Sequence, residues 1–178
     1  MKHSRLFSLS LLMLVGSILF GTQSISAQTK TLKFGDDGKF KIVQFTDVHW
    51  RYGDAKSEEA AERMAEVLDA EKPDLVIFTG DVVTAKPAAD GLKAALKPVV
   101  ERKLPFAVTF GNHDDENDLT RAQLLEVLQG FEGNLTTSTA GISGVTNYIL
   151  PIKGSVADNT ASVLYLFDSN SYSPVKGV

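Results

Sequence analysis

The sequence predicts an α/β fold built on a parallel sheet, and three observations carry that prediction. Three near-continuous apolar runs, "KIVQF", "DLVIF" and "PFAVTF", alternate with segments whose apolar residues recur at helical spacing. Each run ends abruptly at polar residues. The matching points after the runs, Asp47, Asp81 and Asn112, stand 34 and 31 residues apart, about one strand–helix–strand unit each. Such alternation implies parallel pairing with right-handed crossovers. Strands that are apolar throughout imply a sheet covered on both faces.

In chain order, residues 1–27 come first and are set apart from the fold. Lys2 and Arg5 precede an apolar stretch from Leu6 to Phe20, then small and polar residues around Ser26 and Ala27. This is the layout of a secretory signal peptide cleaved near Ala27, with an uncleaved anchor as the alternative. The apolar stretch is shorter than the roughly 20 residues a spanning helix needs. The chain is therefore expected to be exported, periplasmic or secreted, without stable membrane insertion after cleavage, and residues 28–178 carry the fold.

The first strand is read over Lys41–Asp47. "SEEAAERMAEVLDAEKP" follows, with Ala61, Met64, Ala65 and Leu68 at helical spacing, Ser57 as N-cap and Pro73 as terminator. "DLVIFTGD" is the second strand. "GLKAALKPVVERKLP" is helical in pattern, with a kink or break expected at Pro98. "PFAVTFGN" is the third strand. "LTRAQLLEVLQG" is a helix, with Asp118 as its cap and Gly130 just past its end. "NYILPI" and "SVLYLFDS" read as two strands paired in a hairpin.

Bulk composition narrows the chemistry. Of 178 residues, 43% are hydrophobic and 22% charged, ordinary for a globular chain. Cysteine is absent, which excludes disulfides, thiolate zinc sites and an acylated cysteine. Without residues 1–27 the chain keeps 16 cations against 22 anions, a net charge of −6. An acidic surface repels a phosphate backbone, so no nucleic-acid partner is expected.

The polar ends of the three strands carry the chemistry. They read Asp47-Val48-His49, Gly80-Asp81 and Gly111-Asn112-His113-Asp114. Parallel strands bring their C-terminal ends to one edge, where open α/β sheets bind ligands. Two of the chain's three histidines, two aspartates and an asparagine should therefore share one crevice. Juxtaposed carboxylates call for a cation, and carboxylate with imidazole suits Zn, Mn, Fe or Ni. Strand alternation is expected to put Asp47 and His49 on one face. Gly80 and Gly111 allow tight turns or close backbone approach. Trp50, Arg51 and Tyr52 read either as substrate contacts or as loop anchors. Asp168-Ser169-Asn170 reads as a turn or a pocket edge, and Asp115 to Asp118 as loop-solvating and helix-capping residues.

"FTDVH", "TGDVV" and "FGNHD" resemble, in order and spacing, the first three signature blocks of the calcineurin-like metallophosphoesterases. The resemblance covers roughly Lys39 to Asp115. "FKIVQFTDVHW" is most similar to a bacterial or plant branch related to the purple acid phosphatases. The resemblance implies a sandwich of two β-sheets flanked by helices, with two divalent or trivalent metal ions that hydrolyse phosphate esters through a hydroxide held between them. Carried over by position, Asp47 and His49 would bind the first metal. Asp81 would bridge both and Asn112 would bind the second. His113 would face the phosphate and protonate the leaving oxygen, and Asp114 would orient His113.

Two departures qualify the resemblance. Purple acid phosphatases carry an iron-binding tyrosine three residues after the bridging aspartate, where this chain has Thr84, and usually glycine where it has His49. No purple iron–tyrosinate centre is therefore expected. The family also completes its site with later histidines, and none follows His113 here. Residues 28–178 are thus expected to be the N-terminal part of a calcineurin-like phosphoesterase domain in a longer protein. The alternatives to a phosphate-ester hydrolase are a degenerate or partner-completed metal- or phosphate-binding module without turnover, and a phosphodiesterase or nuclease.

Overall fold

A computed structural model describes residues 31–173 and 175. The signal peptide expected over residues 1–27 lies outside them. The elements are β1 (Ile42–Phe45), α1 (Ala55–Glu71), β2 (Leu75–Thr79), α2 (Ala88–Glu101), β3 (Phe106–Thr109), α3 (Arg121–Gln129), β4 (Tyr148–Lys153) and β5 (Thr160–Leu166). Strands β1, β2 and β3 lie side by side in that order, all parallel, with Val43 beside Val76 and Val76 beside Phe106. Strands β4 and β5 form a separate antiparallel pair.

Alternation along β2 and β3 decides how these layers stack. Val76, Phe78, Phe106 and Val108 join Met64, Leu68, Leu92, Leu96, Val99, Leu124 and Leu128 in the larger core, so the three helices cover one face of the parallel sheet. Leu75, Ile77 and Ala107 point the other way and pack with Leu135, Tyr148, Leu150, Ile152 and Leu166. The second face is therefore covered by the β4–β5 sheet, as the sandwich implied. Strand β1 departs from its apolar reading: Val43 is buried, but Ile42 and Gln44 are exposed.

Three local expectations are corrected. Asp54, not Ser57, caps α1 by accepting from Lys56 N at 2.9 Å. Ser57 is buried, and its Oγ accepts from Arg51 N at 2.9 Å, which ties the loop after β1 to the helix. Helix α2 runs through Pro98 without a break. An internal proline costs about 3 kcal/mol, but Pro98 is itself buried and is flanked by Ala95, Leu96 and Val99, whose burial outweighs the loss. Thr120, not Asp118, caps α3 in a reciprocal capping box with Gln123. Asp118 instead accepts from Ala88 N at 2.9 Å and caps α2, whose own N-cap position holds Pro87.

Candidate metal centre

The site lies at the C-terminal edge of β1, β2 and β3, and its backbone is unusual before any side chain is considered. Asp47, His49 and Asp81 all have left-handed backbones, with φ of 53°, 48° and 50°. A non-glycine residue pays for that conformation unless its surroundings enforce it. Here Asp47 N donates to Gly80 O at 3.1 Å, His49 N to Asp81 O at 2.8 Å and Trp50 N to Val82 O at 2.9 Å. The two loops therefore hold each other in place. Strand alternation is not what brings Asp47 and His49 together, since β1 has already ended at Phe45. The left-handed turns do so instead.

The side chains converge as the spacing required. His49 Nε2 lies 3.7 Å from Asp47 Oδ1 and 3.5 Å from Asp81 Oδ2. One ligand atom from each of these three residues lies within 4.8 Å of the other two. Two carboxylates and an imidazole gathered this closely fit a cation of the Zn, Mn, Fe or Ni type.

Glycine is needed at both positions the sequence singled out. Gly80 has φ 103°, and a Cβ there would meet Gly111 Cα at 2.7 Å. A Cβ on Gly111 would stand 2.2 Å from Asp81 Oδ1. The third loop thus presses against the Asp81 carboxylate. His113 N reinforces this by donating to Asp81 Oδ1 at 2.9 Å. The same loop carries Asn112, whose Nδ2 donates to Tyr172 Oη at 3.4 Å. The His113 and His49 rings stand 5.6 Å apart, centroid to centroid.

Asp114 does not orient His113. It is fully buried, and its two oxygens accept from Asp81 N at 2.9 Å, Val82 N at 2.7 Å, Val83 N at 3.1 Å and Gly111 N at 2.8 Å. It is a staple that satisfies the backbone of two site loops at once. The residue that holds His113 is Glu116, whose Oε2 accepts from Nδ1 at 2.7 Å. That hydrogen bond, more than the neighbouring negative charges, raises the imidazole above its ordinary range and lowers Glu116 below its own. Glu116 stands one turn after His113, a spacing visible in the sequence, but inside an acidic run that reads equally well as solvated.

Arg121 escaped the sequence reading, and Asp168 does more than the turn or pocket edge read there. Arg121, at the start of α3, is buried and donates to Gly111 O at 2.6 Å and to Asp168 Oδ1 at 2.9 Å. Asp168 is buried rather than a surface turn, and it also accepts from Val145 N, Thr146 N and Asn170 N. Together they tie the loop bearing Asn112 and His113 to the second sheet. Trp50 is 1% exposed and belongs to the core, whereas Arg51 and Tyr52 are exposed. Thr84, standing where the tyrosine ligand would be, has a buried hydroxyl without a hydrogen-bond partner.

Comparison with known proteins agrees with this geometry. The family profile for calcineurin-like phosphoesterases matches residues 40–174. The chain is 35% identical over 178 residues to a protein named phosphatase DCR2 of Saccharomyces cerevisiae, covering 87% of this chain and 31% of that protein. It is 32% identical over 177 residues to a probable inactive purple acid phosphatase 29 of Arabidopsis thaliana, covering 84% of this chain and 45% of that protein. An uncharacterized metallophosphoesterase, YkuE of Bacillus subtilis, is 30% identical over 95 residues, 52% of this chain and 32% of its own length. The chain thus spans less than half the length of the curated relatives it matches. With the profile match running from β1 to beyond β5, this chain belongs to the calcineurin-like phosphoesterase family.

Proposed function

We propose that the protein is an exported, dinuclear metal-dependent hydrolase of phosphate esters. The observation that carries this reading is the approach of Asp47, His49 and Asp81 within 4.8 Å, with His113 beside them. Asp47 and His49 would hold the first ion, Asp81 would bridge, and Asn112 would supply a neutral oxygen to the second. Bound ions of this type supply Lewis acidity and depress the pKa of the attacking water. The chain's own residues do the rest. With Nδ1–H committed to Glu116, the His113 Nε2 is left to face the phosphoryl group. In its protonated form it stabilises developing charge there and passes a proton to the leaving oxygen. Asp114 contributes by fixing both loops rather than by touching substrate. Among the described residues no helix is long and apolar enough to cross a membrane. Export rests on the layout of residues 1–27.

The test is hydrolysis of an aryl phosphate monoester by the full-length natural protein with Mn²⁺ or Zn²⁺. Turnover that disappears in Asp81→Asn supports the reading. A correctly folded, metal-loaded protein that hydrolyses neither monoester nor diester would refute it. The second reading, a binding module without turnover, is favoured by the plant relative named as a probable inactive phosphatase. Metal or phosphate binding without hydrolysis would select it. Faster cleavage of a diester than of a monoester would select a phosphodiesterase or nuclease instead.

A further inference from the structure

We infer that Glu116 and Tyr172 form a positioning clamp that sets the orientation of both the Asn112 amide and the His113 imidazole. This inference rests on the proposed roles of those two residues. Glu116 divides its carboxylate: Oε2 accepts from His113 Nδ1 at 2.7 Å and Oε1 accepts from Tyr172 Oη at 3.1 Å. The Tyr172 hydroxyl in turn accepts from Asn112 Nδ2 at 3.4 Å. Each donor meets an acceptor, and donation runs from both ends of the chain Asn112–Tyr172–Glu116–His113 toward the Glu116 carboxylate.

This pattern has chemical consequences at both ends. An asparagine amide has one oxygen and one nitrogen, and only the oxygen can bind a cation. With Nδ2 held by Tyr172, Oδ1 is the atom left to turn toward the site. At the other end, Glu116 fixes the imidazole with its proton on Nδ1, which leaves Nε2 for the substrate. The clamp also joins distant parts of the chain. Tyr172 comes 60 residues after Asn112, from the segment following β5, and its ring is exposed. Tyr172 therefore has little burial to explain its position, while its hydroxyl is fully used. Partners of this kind behind a ligand or a catalytic group orient it without touching substrate.

Two measurements test the clamp. The first is independent of turnover: nitrogen-detected NMR of the His113 ring in the metal-free protein. At a pH high enough to leave the ring neutral, the wild-type ring should show the proton on Nδ1, and Glu116→Ala should give a mixture of tautomers. The second uses the full-length protein with Mn²⁺ and an aryl phosphate. Glu116→Ala should lower kcat about 10- to 100-fold with little change in KM, and Glu116→Gln, which keeps an acceptor, should recover much of it. In a His113→Ala background, Glu116→Ala should cost less than in the wild type, keeping only the part that reaches Asn112 through Tyr172. Tyr172→Phe should weaken Mn²⁺ binding by calorimetry about 10-fold. An unchanged ring tautomer in Glu116→Ala overturns the clamp even if the enzyme is active. An equal loss with and without His113 also overturns it, because Glu116 would then not act through the imidazole. If the ring responds as stated but no phosphate ester is turned over, the clamp stands and the proposed function fails.

Discussion

At the scale of single residues, the site is governed by how close its loops come. Gly111 has no room for a methyl group, since a Cβ would enter the Asp81 carboxylate at 2.2 Å. Gly111→Ala should therefore displace Asp81, abolish Mn²⁺ binding by calorimetry and destabilise the fold by roughly 1–3 kcal/mol, as overpacking does. His113 has a different role. Its side chain is partly exposed and it supports no core, so His113→Ala should leave the thermal midpoint nearly unchanged. Loss of a positioned proton donor should lower kcat on the order of 10²- to 10⁴-fold. A full-rate His113→Ala enzyme would remove that residue from the chemistry.

At the scale of elements, stability at the site comes from polar groups that replace regular secondary structure. Asp114 accepts four backbone N–H groups, three from the start of the loop after β2 and one from its own loop. Asp114→Ala would orphan four buried or half-buried donors, at about 1–3 kcal/mol for a buried group left unpaired. The variant should thus be the least stable of the site substitutions in urea unfolding, while Asp114→Asn, which keeps one acceptor oxygen, should lose less. Capping gives a smaller effect. Thr120→Ala should cost about 1 kcal/mol, and Asp118→Ala a similar amount, the latter through α2 rather than the helix that follows it in sequence.

At the scale of the whole molecule, Arg121 and Asp168 connect the metal-site edge of the parallel sheet to the second sheet. Burial pushes the Asp168 carboxyl up, but the N–H groups of Val145, Asn170 and Thr146 and the Arg121 charge outweigh it, so it sits below its ordinary range. A carboxyl with a depressed folded-state pKa stabilises fully above its unfolded value of about 3.9. That stabilisation is lost as pH falls through the folded value. Stability measured by urea unfolding should therefore fall steeply below about pH 4, and Asp168→Asn should flatten this acid limb while lowering stability at pH 7. Binding a cation at the centre acts in the opposite direction. Mn²⁺ at 100 times its Kd should stabilise the fold by about 2.7 kcal/mol, and Asp81→Asn should abolish that increment.

Periodicity, strand-end chemistry and spacing were enough to place the strands and helices of the described residues, the parallel order of the first three strands and the approach of Asp47, His49 and Asp81 at one edge, with His113 beside them. These features are local or repeat at a fixed interval, so they are written along the chain. The left-handed turns at Asp47, His49 and Asp81, the burial of Asp114 against four backbone donors, the Glu116 bond to His113 and the Arg121–Asp168 tie were decided only by the tertiary structure. Each depends on groups that meet across loops, and an aspartate or glutamate in a polar run looks the same in sequence whether it caps a helix, solvates a loop or holds an imidazole. Ser57 and Asp118 make the same point: both are good capping residues, and packing assigned them to other partners. The sequence determined which chemistry is brought together, and the three-dimensional packing decided which residue holds which, because hydrogen-bond partners are chosen by proximity in space and not along the chain.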